Sequence, residues 1–435
     1  MACGATALFV CVAPFARAEG LKGALSSFAK QRSLTDTENG PKEQLRRVGI
    51  NADVWVTQFY QGQPRGDGVT APDARTWRYG GKMDAFLRAD LEKLGFLPGF
   101  HVNAQYEHYF GRSINSFDYA LLPVNTAQAF VRKEGYHSAL SLSATQDMGE
   151  HLSISVGKFN MMTLASQTPL VGGGGLETFM NRGLAMPSTG VGVTSSGIAS
   201  DRLIASAPYL IGGIAVIKAA PFNVMLMLAD PRSAQIPRTM ARPFEKGVAF
   251  GGAITMQTDL FGLRGWHALR GAISNARGFD LEDAAEVRAR LLRIGGPLTK
   301  KGFRFASYSF QQNLFQSDAN PSQGWGVFAL ATLSDGNPTP TRWSMFAGVG
   351  GANLMEGRED DRWGVGYFHY AFSHLLISGL AARKILRQGE SGVEAFYNFA
   401  VTPALRLSAD VQFVDPWNST KSRATYTALR MQTRF

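Results

Sequence analysis

From Trp77 to Leu91 the chain alternates without a break. Trp77, Tyr79, Gly81, Met83, Ala85, Leu87, Ala89 and Leu91 fall on one side; Arg78, Gly80, Lys82, Asp84, Phe86, Arg88 and Asp90 fall on the other. A period of two specifies a β-strand with one apolar and one polar face. The run is more than twice the five or six residues usual for a strand in a soluble sheet. It suits a tilted strand that crosses a bilayer, which needs about 9–11 residues plus overhang. Other stretches repeat the pattern. Ile50, Ala52, Val54 and Val56 alternate with Asn51, Asp53, Trp55 and Thr57. Phe100, Val102, Ala104, Tyr106, His108 and Phe110 alternate with His101, Asn103, Gln105, Glu107 and Tyr109. Near the end, Leu405, Leu407, Ala409, Val411 and Phe413 alternate with Arg406, Ser408, Asp410 and Gln412.

Such faces have two readings: a soluble antiparallel sheet with water outside, or an outer-membrane barrel with lipid outside and a wet lumen. Strand length, aromatics near strand ends and the alternation of short connections (Glu92 to Gly99, Asp147 to His151, Thr402 to Ala404) with long ones favour the barrel. The 48 glycines and the low 18% of charged residues agree with it. The final strand ends Leu429-Arg430-Met431-Gln432-Thr433-Arg434-Phe435. A terminal aromatic on an alternating strand is similar to the signal by which bacterial outer-membrane barrels are recognised for assembly, so Phe435 is expected to engage the assembly machinery. At roughly 25 residues per strand with its loop, the chain supplies about 16 strands, and bacterial barrels take even numbers. The expected fold is therefore all-β: a transmembrane antiparallel barrel of about 16 strands, wide enough for an aqueous channel.

No segment beyond the N-terminus holds 18 apolar residues free of charge, which excludes a bundle of transmembrane helices. Ala5 to Phe15 is an apolar run followed by Ala16-Arg17-Ala18, a pattern suited to signal peptidase. A buried helix is the alternative, opposed by Pro14. Residues 1–18 are thus expected to be an export signal, 19–48 a polar helix or coil, and 49–435 the barrel. Both cysteines, Cys3 and Cys11, lie in the signal, leaving no disulfide or thiolate chemistry afterwards. The net charge of +10 is spread over single basic residues without a dense run, so no nucleic-acid partner is expected.

Several stretches resemble the carbohydrate-selective porin family, often called OprB-type. They include Asp90-Leu91-Glu92-Lys93-Leu94-Gly95, Leu121 to Thr126, Val156-Gly157-Lys158-Phe159-Asn160 and Gly172 to Gly175. Further on come Gly324 to Phe328, Leu333 to Gly336, Asp360 to Tyr367 and Glu394 to Pro403. Dispersed from about residue 50 to the end in family order, they cover nearly the whole chain after the signal. The resemblance implies a 16-stranded outer-membrane porin that lets sugars diffuse into the periplasm without cofactor or chemistry. It also implies loops folded into the mouth and lumen that narrow the channel. The expected partners are carbohydrate solutes, outer-membrane lipid and lipopolysaccharide.

The alternation places Arg78, Lys82, Asp84, Arg88, Asp90, Asn103, Gln105, Glu107, Arg406, Asp410, Gln412, Arg430 and Arg434 in the lumen. This mixture of donors and acceptors suits sugar hydroxyls, and Trp55, Phe86 and Tyr109 on the same side offer stacking surfaces. Each such charge can equally do no more than stabilise the wall and its water. A register error of one residue would invert every assignment. The excess of cations leaves an anion- or organic-acid-preferring or general porin as the alternative, with an outer-membrane enzyme or a purely structural barrel behind it. No Gly-x-Ser-x-Gly elbow supports an enzyme. Gly172 to Gly175 lacks the Lys-Ser or Lys-Thr of a phosphate loop, and the seven histidines show no metal spacing. Glu359-Asp360-Asp361 is either a calcium loop or a solvated turn, and Glu282 to Arg293 reads as a helix in a long loop.

Overall fold

The computed structural model describes residues 31–435, apart from 38–39, 67–76, 118–119, 121, 130–137, 166–175, 186–208, 235–236, 283–298, 319, 321–322, 354 and 381–386. The proposed export signal, Gly172 to Gly175 and most of the segment from Glu282 to Arg293 lie outside the described residues. Sixteen strands follow in chain order: β1 (Ile50–Arg65), β2 (Trp77–Asp90), β3 (Phe100–Gly111), β4 (Ser138–Met148), β5 (Leu152–Asn160), β6 (Tyr209–Ala219), β7 (Phe222–Ala229) and β8 (Ala249–Leu260). The second half is β9 (Leu263–Phe279), β10 (Thr299–Gln316), β11 (Gly324–Ser334), β12 (Thr341–Ala352), β13 (Arg362–Phe372), β14 (Gly389–Thr402), β15 (Leu405–Asp415) and β16 (Ala424–Arg434). Each pairs antiparallel with the next, and β1 pairs with β16 to close the barrel, Trp55 opposite Arg434. Closure leaves no strand edge unpaired.

The register realises the alternation. Trp55 lies opposite Asp84, which lies opposite Glu107, so these three share the inner face; Val56, Met83 and His108 share the outer one. The outer face is apolar and bare: Leu87, Tyr106, Leu407, Phe413 and Leu429 are all exposed, the last by 61%. A soluble monomer does not carry an apolar surface over its whole circumference, so this surface is the lipid face. Thr57, Asp84, Glu107, Glu394 and Gln412 on the inner face are buried. A slip of one residue would place these groups in lipid.

The start of β1 and the end of β16 lie at one rim, where the hairpins are short. The β8–β9 turn consists of Phe261 and Gly262 with φ of 56° and 76°. Positive φ at both central positions matches the twist of two antiparallel strands. Ring pairs mark the two edges of the lipid band: Phe315–Trp325 (4.5 Å) and Trp325–Trp363 (5.5 Å) near the short turns, Tyr60–Trp77 (4.9 Å) near the long loops. Aromatic rings settle at such water–lipid boundaries.

The described residues of 33–48 fold against the barrel seam. Helix α1 (Pro41–Arg47) starts with Pro at a position where its missing N–H costs nothing and carries Arg46 and Arg47 in its last turn. Lys42 Nζ donates to Ser33 Oγ (3.1 Å), Asp53 Oδ1 (2.6 Å) and the Phe435 carbonyl (3.0 Å). Leu34 N–H donates to the Arg434 carbonyl (2.9 Å). The start of the described chain is thereby tied to both strands that close the barrel.

The described residues of 113–129 and the loop segment 176–185 lie inside the barrel. Phe179 and Leu184 of the second pack with Phe328, Phe346, Phe368 and Phe396, which project inward from β11 to β14. Room for them comes from missing side chains. A Cβ at Gly364 would stand 2.8 Å from Phe179 Cζ, and one at Gly366 would stand 2.7 Å from Leu184 Cδ2.

Candidate functional site

Glu394, inward on β14, holds the second loop. Its carboxylate accepts the backbone N–H groups of Met180 and Asn181, the latter at 3.0 Å. Asn181 Nδ2 donates to Gln412 Oε1 (3.1 Å), and Gln412 Nε2 donates to Asp410 Oδ1 (2.9 Å) and the Val124 carbonyl (3.0 Å). Arg430 donates to Ser408 Oγ (3.1 and 3.0 Å) and to the Thr178 carbonyl (2.9 Å). Asn398 Nδ2 donates to the Glu177 carbonyl (2.9 Å). The first loop is fastened alongside: Glu390 accepts Leu122 N–H (3.0 Å), Asn125 Nδ2 donates to Gln61 (3.1 Å), and Thr126 Oγ1 donates to the Met180 carbonyl (2.7 Å). Most buried polar groups are paired, and here the wall and the loops supply most of one another's partners, Gln61 Nε2 and Asp410 Oδ2 excepted.

A second inward network spans β2, β3 and β6. Lys82 pairs with Asp84 (2.9 Å) and with Glu107. Tyr209 donates its hydroxyl to Glu107, Tyr109 does so at 3.5 Å, and Gln105 Nε2 donates to Asp84 (2.9 Å). Lys158 Nζ lies 5.1 Å from the centre of the Tyr209 ring.

These networks alter the expected lumen lining. Lys82, Asp84, Glu107, Tyr109, Arg406, Asp410 and Arg430 all point inward, yet all are buried. Alternation reports which face a residue takes, not whether that face meets water. Lys82 is spent on carboxylates of its own sheet and Arg430 on a loop carbonyl, so neither is a free ligand for solute. Arg406 Nη1 donates to the Asp360 carbonyl (2.8 Å). Arg78 and Arg88, near opposite rims of β2, do reach solvent in part or in full.

The remaining expected residues meet at one place. Trp55 and Phe86 form an edge-to-face pair (5.1 Å). The Arg434 guanidinium lies over the Trp55 ring (4.6 Å) and pairs with Glu177 of the inserted loop. Arg434 and Glu177 keep 23% and 24% side-chain exposure, so this aromatic and ion-paired cluster faces an opening. Sequence reasoning missed Glu177, Asn181, Glu390 and Glu394. The inward alternation of Glu390, Glu394 and Asn398 on β14 was readable; their loop partners were not.

Elsewhere, Asp361 pairs with Arg358 (2.5 Å) and accepts the Tyr397 hydroxyl (2.5 Å) and Ala400 N–H (2.8 Å). The turn that carries it is thus built on a saturated carboxylate. Among the described residues no three His, Cys, Asp or Glu side chains gather as a metal site.

A closed sixteen-strand barrel with a lipid-facing exterior and loops folded into a polar lumen is an outer-membrane channel of the porin class. The model of the carbohydrate-selective porin, OprB family, matches residues 74–435, and the chain belongs to that family. The high-pH structure of Pseudomonas putida OprB superposes with a TM-score of 0.76 at 16% identity, covering 94% of this chain and 99% of that one. The low-pH structure of the same protein gives 0.53 at 12% identity, with the same coverage. Among curated protein sequences there is no match.

Proposed function

We propose that this porin passes monosaccharides and small oligosaccharides down their gradient into the periplasm, and that they touch the wall at Trp55, Phe86, Arg434 and Glu177. The observation that carries this reading is the half-open aromatic pair beside an ion pair on the inner face. A pyranose has an apolar face that stacks on a ring and hydroxyls that both donate and accept. Contacts confined to one small cluster keep binding weak enough for the solute to leave again. The buried networks act as scaffold, while Arg78 and Arg88 set an electrostatic preference near the two mouths. Export through residues 1–18, barrel assembly through the strand ending at Phe435, and contact with outer-membrane lipid and lipopolysaccharide belong to the same proposal.

Planar-bilayer conductance with a panel of sugars tests it. Neutral sugar at millimolar concentration is expected to reduce a weakly anion-preferring current. Replacing Arg78 and Arg88 with alanine is expected to lower the anion preference. A current indifferent to every sugar but strongly reduced by small organic acids would replace the carbohydrate reading with that of an anion porin.

A further inference from the structure

Near the long-loop rim, Arg277, Lys301 and Arg304 lie on the outer face of β9 and β10, and Arg342 is exposed beside them where β12 bulges between Thr341 and Trp343. Register brings them together. Arg277 lies directly opposite Lys301, and Arg304 opposite the outward Ile273. Arg304 and Asp335 are joined through their backbones, and Arg342 Nη1 donates to the carbonyls of Ser334 (2.6 Å) and Asp335 (3.2 Å). The neighbouring Asp335 carboxylate accepts the backbone N–H groups of Arg304 (2.9 Å) and Thr339 (3.2 Å), and its single charge leaves the patch with a net positive charge. Lys300, by contrast, is paired with Glu282 (3.2 Å). Among the described residues, none of these four cations forms an ion pair with a carboxylate.

Height along the barrel says what meets them. A strand rises about 3.4 Å per residue, or about 2.4 Å along the barrel axis when tilted by about 45°. Phe315 marks the lower aromatic edge, and Arg304 stands eleven residues above it on β10. That is about 26 Å, the height of the apolar band of an outer-membrane barrel at about 25 Å. Arg304 therefore sits at the upper lipid boundary, with Lys301 and Arg277 above it in the headgroup layer. Beside and below it are exposed apolar groups: Ile273 (61%), Leu333 (65%), Tyr308 and Trp343.

We propose that this patch is a binding site for a phosphorylated glycolipid of the outer leaflet. Its phosphates would lie among Arg277, Lys301, Arg304 and Arg342, its sugar against Trp343, and its acyl chains over Ile273, Leu333 and Tyr308. The inference rests on the outer-membrane reading and not on what the channel conducts. Guanidinium groups suit it because their fork matches phosphate oxygens, and each basic group near an anionic membrane surface adds to the attraction.

Native mass spectrometry of the full chain, released from micelles doped with bisphosphorylated lipid A, tests the site. Retained lipid is expected to fall about tenfold or more in the variant R277Q/K301Q/R304Q/R342Q. The variant R277K/R304K/R342K keeps the charges but loses the guanidinium forks, and is expected to retain an amount between those of the wild type and the quadruple variant. Heat-modifiable gel mobility and an unchanged sugar-sensitive current in the quadruple variant separate loss of this site from loss of the barrel or of the channel. Equal retention by wild type and quadruple variant would overturn the proposal, as would equal retention of dephosphorylated lipid A. Complete displacement by micromolar inorganic phosphate would overturn it too, since the patch would then be a plain anion site.

Discussion

Glu394→Ala is the substitution that most directly tests how the lumen is built. Glu394 is fully buried and accepts two backbone N–H groups from the inserted loop, those of Met180 and Asn181. Removing the carboxylate orphans both donors at about 1–3 kcal/mol each, so the seated loop loses about 4 kcal/mol. At about 1.4 kcal/mol per decade, the ratio of seated to unseated loop falls by about a thousandfold. The remaining tethers are Asn181 to Gln412, Arg430 to Thr178, Asn398 to Glu177 and Thr126 to Met180. They hold the loop only while it stays seated. Single-channel recording is expected to show larger and noisier openings with weaker sugar block, while heat-modifiable mobility stays that of a folded barrel. Glu394→Gln keeps one acceptor oxygen and is expected to fall about halfway. If Glu394→Ala conducts with wild-type amplitude and noise, and residues 176–185 stay as resistant to protease as before, the tether argument is wrong.

Trp55→Ala removes the ring beneath the Arg434 guanidinium and half of the pair with Phe86. It is expected to weaken sugar block about tenfold, since one stacked ring contributes about 0.5–1.5 kcal/mol beyond its buried area; unchanged block in a bilayer titration refutes the role given to it. Deleting Phe435 removes its paired hydrogen bonds to Val54 and the carbonyl that Lys42 binds. Its surface level in cells is expected to drop far more than after a deletion in an exposed loop, and equal levels would count against an assembly role. The Arg46 side chain, bonded to Asp36 at 2.7 Å, holds the Asp36 carboxyl below its ordinary value of 3.8. The depressed acid stabilises residues 33–48 fully above that ordinary value, and the contribution fades as pH falls through the lowered one. Limited proteolysis by an acid protease is therefore expected to attack this segment progressively as the pH is taken down from 3.8 and to spare it at pH 5; cleavage independent of pH would remove the ion pair from the account.

The alternation of β2, β3, β15 and β16 was legible because strand side chains switch faces at every residue, a property of the local backbone alone. It placed Leu407 and Phe413 outside and Asp84, Glu107 and Arg430 inside without any knowledge of the partner strands. Strand length and the terminal Phe435 added the membrane, and chain length at roughly 25 residues per strand the count of about sixteen. What alternation does not carry is the fate of the inner face. Met180 and Glu394 are separated by 214 positions, and Thr178 and Arg430 by 252. No periodicity links them, because a barrel must first close and a loop then fall inward before they meet. Whether Lys82 binds a solute or two neighbouring carboxylates, and whether Trp55 faces water or protein, was thus decided by tertiary contact. Burial and pairing depend on everything that approaches a side chain, whereas its direction depends only on the residues beside it.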